Sequence, residues 1–413
     1  MKYVLRCSFC NEEYDSKEHI YCCRKDQKRL EIVYFYEQLV DVIDKTTLEK
    51  RKSGVWKYAE LLPVLDNSKI VSIGEGGTRL RRCDRLSEIL GIKNLYAKDE
   101  TSNPTGTFKD RPASVGVSKA LEIKAETIVV ASDGNVAPAT AAYAMMAGVK
   151  CFVFVPNYMS PERITQTMMY GANVIVVKGD INQCIDLAIE IEKMYHWHHL
   201  TTAAAVNPYQ MEGAKTIAYE ISEQLGWTVP DWVIAPVGGG GILTANWKGF
   251  KEFFNLNLID GLPKIGGIQA SGCAPLVRAY REKRKPDEIK KWDKLQTIAI
   301  PIGVPFPLDG PTALAAIRES KGTAIAVSDK EIVEAQRLLA KTEAIIAEPA
   351  GAVTLAGTKK LKEEDVIGKD DITVFEVTGT GFKDLGFIAT LLKKPPEIEP
   401  KIDRNLISVL GIN

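Results

Sequence analysis

A series of short, almost uninterrupted apolar runs constrains this chain most. Thr127-Ile128-Val129-Val130-Ala131, Cys151-Phe152-Val153-Phe154-Val155 and Val174-Ile175-Val176-Val177 are separated by helix-length stretches over 137–147, 160–170 and 181–195. A strand with no polar alternation is buried on both faces. Strands of that kind joined through helices form a parallel sheet covered on both sides. A second series repeats the rhythm: Trp232 to Val237, a helix from Ile242, Ile265 to Ala270, helices over 329–341 and 348–361, then Ile372 to Val377. The fold class read from this is α/β, with two open, twisted, mostly parallel sheets flanked by helices. A chain of 413 residues exceeds what one core usually supports, which also points to two domains.

The polar residues at the ends of these runs carry the chemistry. In open α/β sheets, ligands bind beyond the carboxyl ends of the strands. Three loops are predicted there: Ser132-Asp133-Gly134-Asn135, Gly238-Gly239-Gly240-Gly241, and Thr378-Gly379-Thr380-Gly381. Strand, four glycines, helix describes a cradle whose bare backbone N–H groups reach an anion at a helix start. The spacing of a dinucleotide fingerprint is not met, because Ile242 and Leu243 follow the fourth glycine. A single phosphate fits better than a pyrophosphate. The fourth feature is Asn103-Pro104-Thr105-Gly106-Thr107-Phe108-Lys109-Asp110-Arg111. Its turn residues place Lys109 where a loop becomes a helix. Burial and a positive field there both lower a lysine pKa, and such an amine can form a Schiff base with an aldehyde. A phosphate cradle together with a poised amine points to pyridoxal phosphate. The competing readings are a solvated lysine at a helix entry, a binding protein without chemistry, and a nucleotide-binding module.

The four motifs stand in order along the chain, with Gly74-Glu75-Gly76-Gly77-Thr78 and a Cys-rich head before them. Together they resemble the threonine synthase family, within the fold type II, tryptophan-synthase-β-like pyridoxal phosphate enzymes. The resemblance implies a lyase or synthase that eliminates or replaces a group at Cβ or Cγ of an amino acid. Its nearest reaction is O-phosphohomoserine to threonine. It implies that Lys109 carries the cofactor and then moves protons, beside Phe108. Asn135 would bond the cofactor's ring oxygen, Gly238 to Gly241 and Ile242 its phosphate, and Thr378 would face its ring nitrogen. Ser132, Asp133, Gly134 and Gln210 are the expected substrate-binding residues. The implied division is a head over 1–30, a large cofactor-binding domain over 31–112 and 205–413, and a small α/β domain over 113–204. A homodimer is expected from the same resemblance. Two departures stand out. Ala204, Ala205 and Gln210 occupy the places of an Asn, a Ser and an Arg that help hold the substrate phosphate. Asp133 replaces a threonine, as in the Thr-Asp-Gly-Asn loop of diaminopropionate ammonia-lyase. That enzyme, or a cysteate synthase-like one, is therefore the alternative, with Asp133 a second base. The bland reading of Asp133 is a cap on the following helix.

The head holds Cys7-Ser8-Phe9-Cys10 and the adjacent pair Cys22-Cys23. Cys7, Cys10 and Cys22 are the expected zinc ligands, with His19 or Asp26 to complete the set, against a metal-free ribbon as the alternative. Residues 31–70 read as helical. His196, His198 and His199 read as a positive cap on the helix before them. The run from Arg281 to Lys294 reads as a solvated, mobile surface segment, and the Pro-rich 393–400 as a tail over the surface. Acidic and basic residues balance at 53 each, so neither nucleic acid nor an anionic membrane is an expected partner. No apolar run is long enough to span a bilayer, and Met1 to Cys7 lacks a secretory apolar core. Scattered cysteines suit a reducing cytoplasm.

Overall fold

The computed structural model describes residues 2–402 and 404–410. Its strands are β1 (Tyr3–Cys7), β2 (Glu13–Asp15), β3 (Leu30–Tyr34), β4 (Arg79–Arg82), β5 (Asn94–Asp99), β6 (Thr127–Ala131), β7 (Lys150–Pro156), β8 (Asn173–Val177), β9 (His198–His199), β10 (Trp232–Pro236), β11 (Lys264–Ala270), β12 (Thr323–Val327) and β13 (Ile372–Val377). They form three sheets. A small antiparallel sheet, order β2-β1-β3, joins the Cys-rich segment to residues 30–34. A six-stranded sheet runs β12-β11-β10-β13-β5-β4, parallel except where β4 meets β5. A four-stranded parallel sheet runs β8-β7-β6-β9.

The two parallel sheets answer the apolar runs. Every residue of β10 is buried, as a strand in the middle of a doubly covered sheet must be. β10 and β13 are neighbours in that sheet, so the loops that leave them, 238–241 and 378–381, emerge side by side. β13 also pairs with β5, which leads into the Lys109 loop. Three motifs far apart in sequence thus share one edge of one sheet.

The helix Asp110–Glu122 starts immediately after Lys109 and is buried from Asp110 to Ala120. An arginine at its second residue would be a serious cost inside a core unless paired. Arg111 is fully buried, and its guanidinium grips two carboxylates: Nε donates to Glu100 Oε2 at 2.7 Å and Nη2 to Glu100 Oε1 at 2.8 Å, while Nη1 donates to Glu220 Oε1 at 2.6 Å. Lys98 Nζ donates to Glu220 Oε2 at 2.7 Å. The cluster ties β5, the Lys109 helix and the helix Thr216–Gln224 together directly behind the Lys109 loop.

Several local expectations are corrected. Residues 31–70 do not begin as a helix: Leu30, Ile32 and Tyr34 alternate inward along β3. After them come only the short helices Tyr36–Leu39 and Lys45–Lys50 and two 3-10 segments. His196 does terminate the helix Ile181–Tyr195, in a left-handed conformation. His198 and His199 instead form β9 and pair with Ile128 and Val129. The Arg281–Lys294 run is mostly exposed, as a solvated segment requires. It is tethered, because Arg278 Nη2 donates to the carbonyls of Lys290 and Lys291 at 2.9 Å each. Residues 393–400 are exposed. Among the described residues no helix is long and apolar enough to cross a membrane.

Removing Arg111 would leave Glu100 and Glu220 buried with one fewer cation. Arg111→Met is expected to lower unfolding stability by about 3–5 kcal/mol, read from equilibrium urea denaturation. A loss under about 1 kcal/mol would place the cluster among ion pairs that contribute little.

Candidate active site

Between the carboxyl ends of the two parallel sheets lies a cavity of about 410 Å³. It is lined by Phe108 and Lys109, the 131–136 loop, Thr201 to Ala203 and Val206, Gly238 to Ile242, the 301–308 loop, Glu348 and Thr378. Of the residues the sequence reading named, Phe108, Lys109, Ser132, Asp133, Gly134, Asn135, the four glycines, Ile242 and Thr378 all reach this one space.

Lys109 sits at the cap position of its helix. Its loop is stitched to the loop after β13: Phe108 N donates to the Thr378 carbonyl at 3.0 Å, Thr107 Oγ1 to the same oxygen at 3.0 Å, and Thr380 N to the Gly106 carbonyl at 2.9 Å. The amine lies 4.4 Å from the Phe108 ring centre, with Thr202 Oγ1 at 3.4 Å. Burial lowers its pKa to about 8, against the pull of Glu348, Asp133 and Asp309, which favour the charged form. A lysine held near 8 is a usable nucleophile and base at neutral pH.

The glycine turn is shaped by what covers it. Gly240 has φ of +99°, and a Cβ there would fall 2.7 Å from the Asp309 carbonyl oxygen. A side chain at Gly238 would fall 3.1 Å from Ile302 Cα. The turn opens directly into the helix Gly241–Asn255, so its N–H groups and the positive helix end could serve one anion.

Asp133 lines the cavity, and burial raises its pKa to about 6 while Arg163 and Lys109 hold it down. The capping reading fails. The helix Val136–Met146 has no side-chain cap bond, and it is Ser132 Oγ that accepts from Gly134 N, at 3.1 Å. Asn135 Nδ2 donates to both oxygens of Glu348, at 2.8 and 3.0 Å. Arg163 closes this group, donating to Asn135 Oδ1 at 3.3 Å, to Glu348 Oε2 at 2.7 Å and to Asp384 Oδ1 at 2.6 Å. Sequence reasoning missed Glu348 and Arg163. The available signal for Glu348 was its place before Pro349-Ala350-Gly351 at a helix start; Arg163 had none.

Gln210 is a correction. It is buried but lies outside the cavity lining, against Gly116, with neither side-chain atom hydrogen-bonded. Ala204 and Ala205 also lie outside it; their backbone amides donate to Asp309. The sequence segment 204–210 packs behind the site, and Val206 alone of it faces the cavity.

The head brings together Cys7, Cys10, Cys23 and Asp26, with ligand atoms all within 4.8 Å of one another. Cys22 is excluded. It bridges to Arg29 in an extended segment, and its thiol donates to Gln27. Neighbouring residues of an extended chain face opposite sides, so only one of the adjacent pair can enter the cluster.

A buried amine, a glycine turn at a helix start and a flanking hydroxyl in one cavity fit pyridoxal phosphate. The pattern of a pyridoxal-phosphate dependent enzyme matches residues 71–379. The threonine synthase of Methanocaldococcus jannaschii is 46% identical over 95% of this chain and 96% of its own length. That of Methanosarcina acetivorans is 41% identical over 99% of each. The chain belongs to the threonine synthase family of pyridoxal-phosphate-dependent enzymes. Solved structures share the fold: diaminopropionate ammonia lyase from Escherichia coli has a TM-score of 0.66 at 19% identity, covering 79% of this chain and 91% of that one. Threonine deaminase isoform 2 from Solanum lycopersicum has 0.64 at 22%, covering 76% and 84%. The expected fold type II architecture and lyase class therefore hold.

Because Lys109 is held near 8, cofactor uptake by the apoprotein is expected to accelerate as pH rises through about 8 and then level off. Stopped-flow absorbance against pH would show it. A rise that continues to the ordinary lysine range, about 10.4, would contradict the burial of the amine.

Proposed function

We propose that this enzyme converts O-phosphohomoserine and water to threonine and inorganic phosphate. The observation that carries the reading is the convergence of Lys109, Asn135, the glycine turn and Thr378 on one cavity, in a chain 46% identical to a threonine synthase. Gly238 to Gly241 and Ile242 would hold the cofactor phosphate, Asn135 its ring oxygen, and Thr378 its ring nitrogen. Bound pyridoxal phosphate supplies an electron sink for the pair released at the substrate Cα. Lys109, with its lowered pKa, takes the proton from Cα and returns protons further along the side chain. A neutral hydroxyl at Thr378 leaves the ring nitrogen uncharged, which favours elimination and replacement over transamination. Ser132 to Asn135 hold the substrate carboxylate through their backbone turn. Glu348, fixed by Arg163, keeps the Asn135 amide oriented.

A second reading rests on Asp133. The cavity lining includes Asp133, Asp186 and Glu348 but no arginine, and charge-assisted bonds dominate phosphate recognition. A substrate with an amine leaving group, such as diaminopropionate, would suit those carboxylates, with Asp133 as a second base.

We also propose that the head binds zinc through Cys7, Cys10, Cys23 and Asp26. Bonds of about 2.3 Å at tetrahedral angles put zinc-bound sulfurs about 3.8 Å apart; Cys10 and Cys23 sulfurs are 3.6 Å apart. The amides of Phe9 and Cys10 both point at Cys7 Sγ, at 3.4 Å each, as suits a thiolate. A cytoplasmic homodimer belongs to the same reading, supported by kinship and by cysteines that are all free.

The test is a substrate panel on purified protein. Phosphate release with threonine formation from O-phosphohomoserine is expected, falling about a thousandfold or more in Lys109→Ala. Ammonia release from diaminopropionate, sensitive to Asp133→Asn and without turnover of O-phosphohomoserine, would replace the first reading by the second.

A further inference from the structure

The head and the glycine turn meet through one ion pair. Arg29 lies immediately before β3, across the turn from Cys22 and Cys23. Its carbonyl accepts from Ser8 N at 3.1 Å, inside the Cys7–Cys10 turn, and its backbone bridges to Cys22. Lys28 N donates to Asp26 Oδ1 at 2.9 Å, and Cys23 N to the Lys28 carbonyl at 2.9 Å. The four cluster residues therefore fix where Arg29 starts. From there its guanidinium crosses to the large sheet's unit: Nη1 donates to Asp309 Oδ1 at 3.1 Å and to Thr312 Oγ1 at 2.8 Å.

Asp309 is the residue on which the back of the active site converges. It is 1% exposed. Its two oxygens accept from Ala204 N at 2.9 Å and Ala205 N at 3.0 Å, and its own N–H donates to the Gly239 carbonyl at 2.9 Å. Its carbonyl is what forbids a side chain at Gly240, and its Oδ2 lies 3.4 Å from where a Cβ of Gly241 would stand. A buried carboxylate so close to an anion-binding turn would repel the anion unless neutralised. Arg29 is the cation paired with it, and it opposes the rise that burial imposes on the Asp309 pKa.

We propose that Arg29 is a positioning residue for the cofactor phosphate, so that the metal-tied head sets how tightly the glycine turn binds it. The proposal rests on the zinc and pyridoxal phosphate readings above. It acts in two ways with one consequence. Arg29 holds the Asp309 carboxylate on the Ala204 and Ala205 amides, which anchors the Asp309 main chain that bonds Gly239 and covers Gly240, and it cancels the negative charge behind the turn. Both effects act first on the phosphate; toward the Lys109 amine, Asp309 stands last among the charges that favour protonation, behind Glu348 and Asp133.

The experiment compares pyridoxal phosphate with pyridoxal, which lacks the phosphate, by absorbance titration of cofactor-stripped full-length protein. Arg29→Ala, Arg29→Lys and Cys23→Ala are measured beside the parent, with zinc content determined on the same samples. Arg29→Ala is expected to keep its zinc, to bind pyridoxal phosphate about tenfold more weakly, and to bind pyridoxal as the parent does. Arg29→Lys is expected to recover part of the loss. Cys23→Ala is expected to lose zinc and show the same phosphate-selective weakening. Unchanged affinity in Arg29→Ala, or equal losses for both ligands, would overturn the positioning role. A parent without zinc would refute the metal reading, leaving the Arg29 comparison to decide the ion pair. Loss of zinc in Cys23→Ala with unchanged cofactor affinity would refute the link between metal and turn.

Discussion

The backbone stitching between the Lys109 loop and the loop after β13 is the constraint on which the site depends. Phe108, Thr107 and Gly106 bond to Thr378 and Thr380, across more than half of the chain. A lysine on an untethered loop would swing into water and regain its ordinary pKa. Pinned against β13, it stays beside Phe108 with its amine in the cavity. Burial then does the chemical work, because desolvation is the first cause of its lowered pKa. The Arg111 cluster serves the same end from behind, since it fixes the first turn of the helix that Lys109 begins.

The charges around the cavity are arranged in layers. Lys109, Asp133 and Glu348 face the space itself. Arg163 stands behind Glu348 and Asn135, and Arg29 behind Asp309. Glu348 and Asp309 therefore each carry a cation. Asp133 differs. Among the described residues it has no salt-bridge partner, and burial raises its pKa to about 6. A carboxylate left in that state beside the reacting amine is poised to exchange a proton.

Much of the fold was legible because buried parallel strands announce themselves. β6, β7, β8, β10, β11 and β13 are apolar runs, and the loops at their ends carried most of the site. What escaped had weaker or misleading patterns. Thr323 to Val327 is diluted by alanine, so its apolar run is too weak to mark a strand. β3 turns Leu30, Ile32 and Tyr34 inward between Glu31 and Val33, a five-residue pattern too short to stand out against a helical reading of 31–70. β9 is two residues long, below any periodic signal. Within the site, Asn135 and Glu348 touch although 213 residues separate them, and only sheet order brings them together. Gln210 was assigned to the substrate through alignment with a family arginine, but the side chain turns toward Gly116 instead. Cys22 was preferred over Cys23 because sequence spacing does not reveal which of two adjacent thiols faces inward.

The site stands or falls on a covalent bond between Lys109 and a pyridoxal phosphate aldehyde in this cavity. Borohydride reduction of the purified enzyme, followed by proteolysis and mass spectrometry, tests it directly. A phosphopyridoxyl mass increment is expected on the peptide containing Lys109. An increment on another lysine, or none on a protein that is fully active, would contradict it.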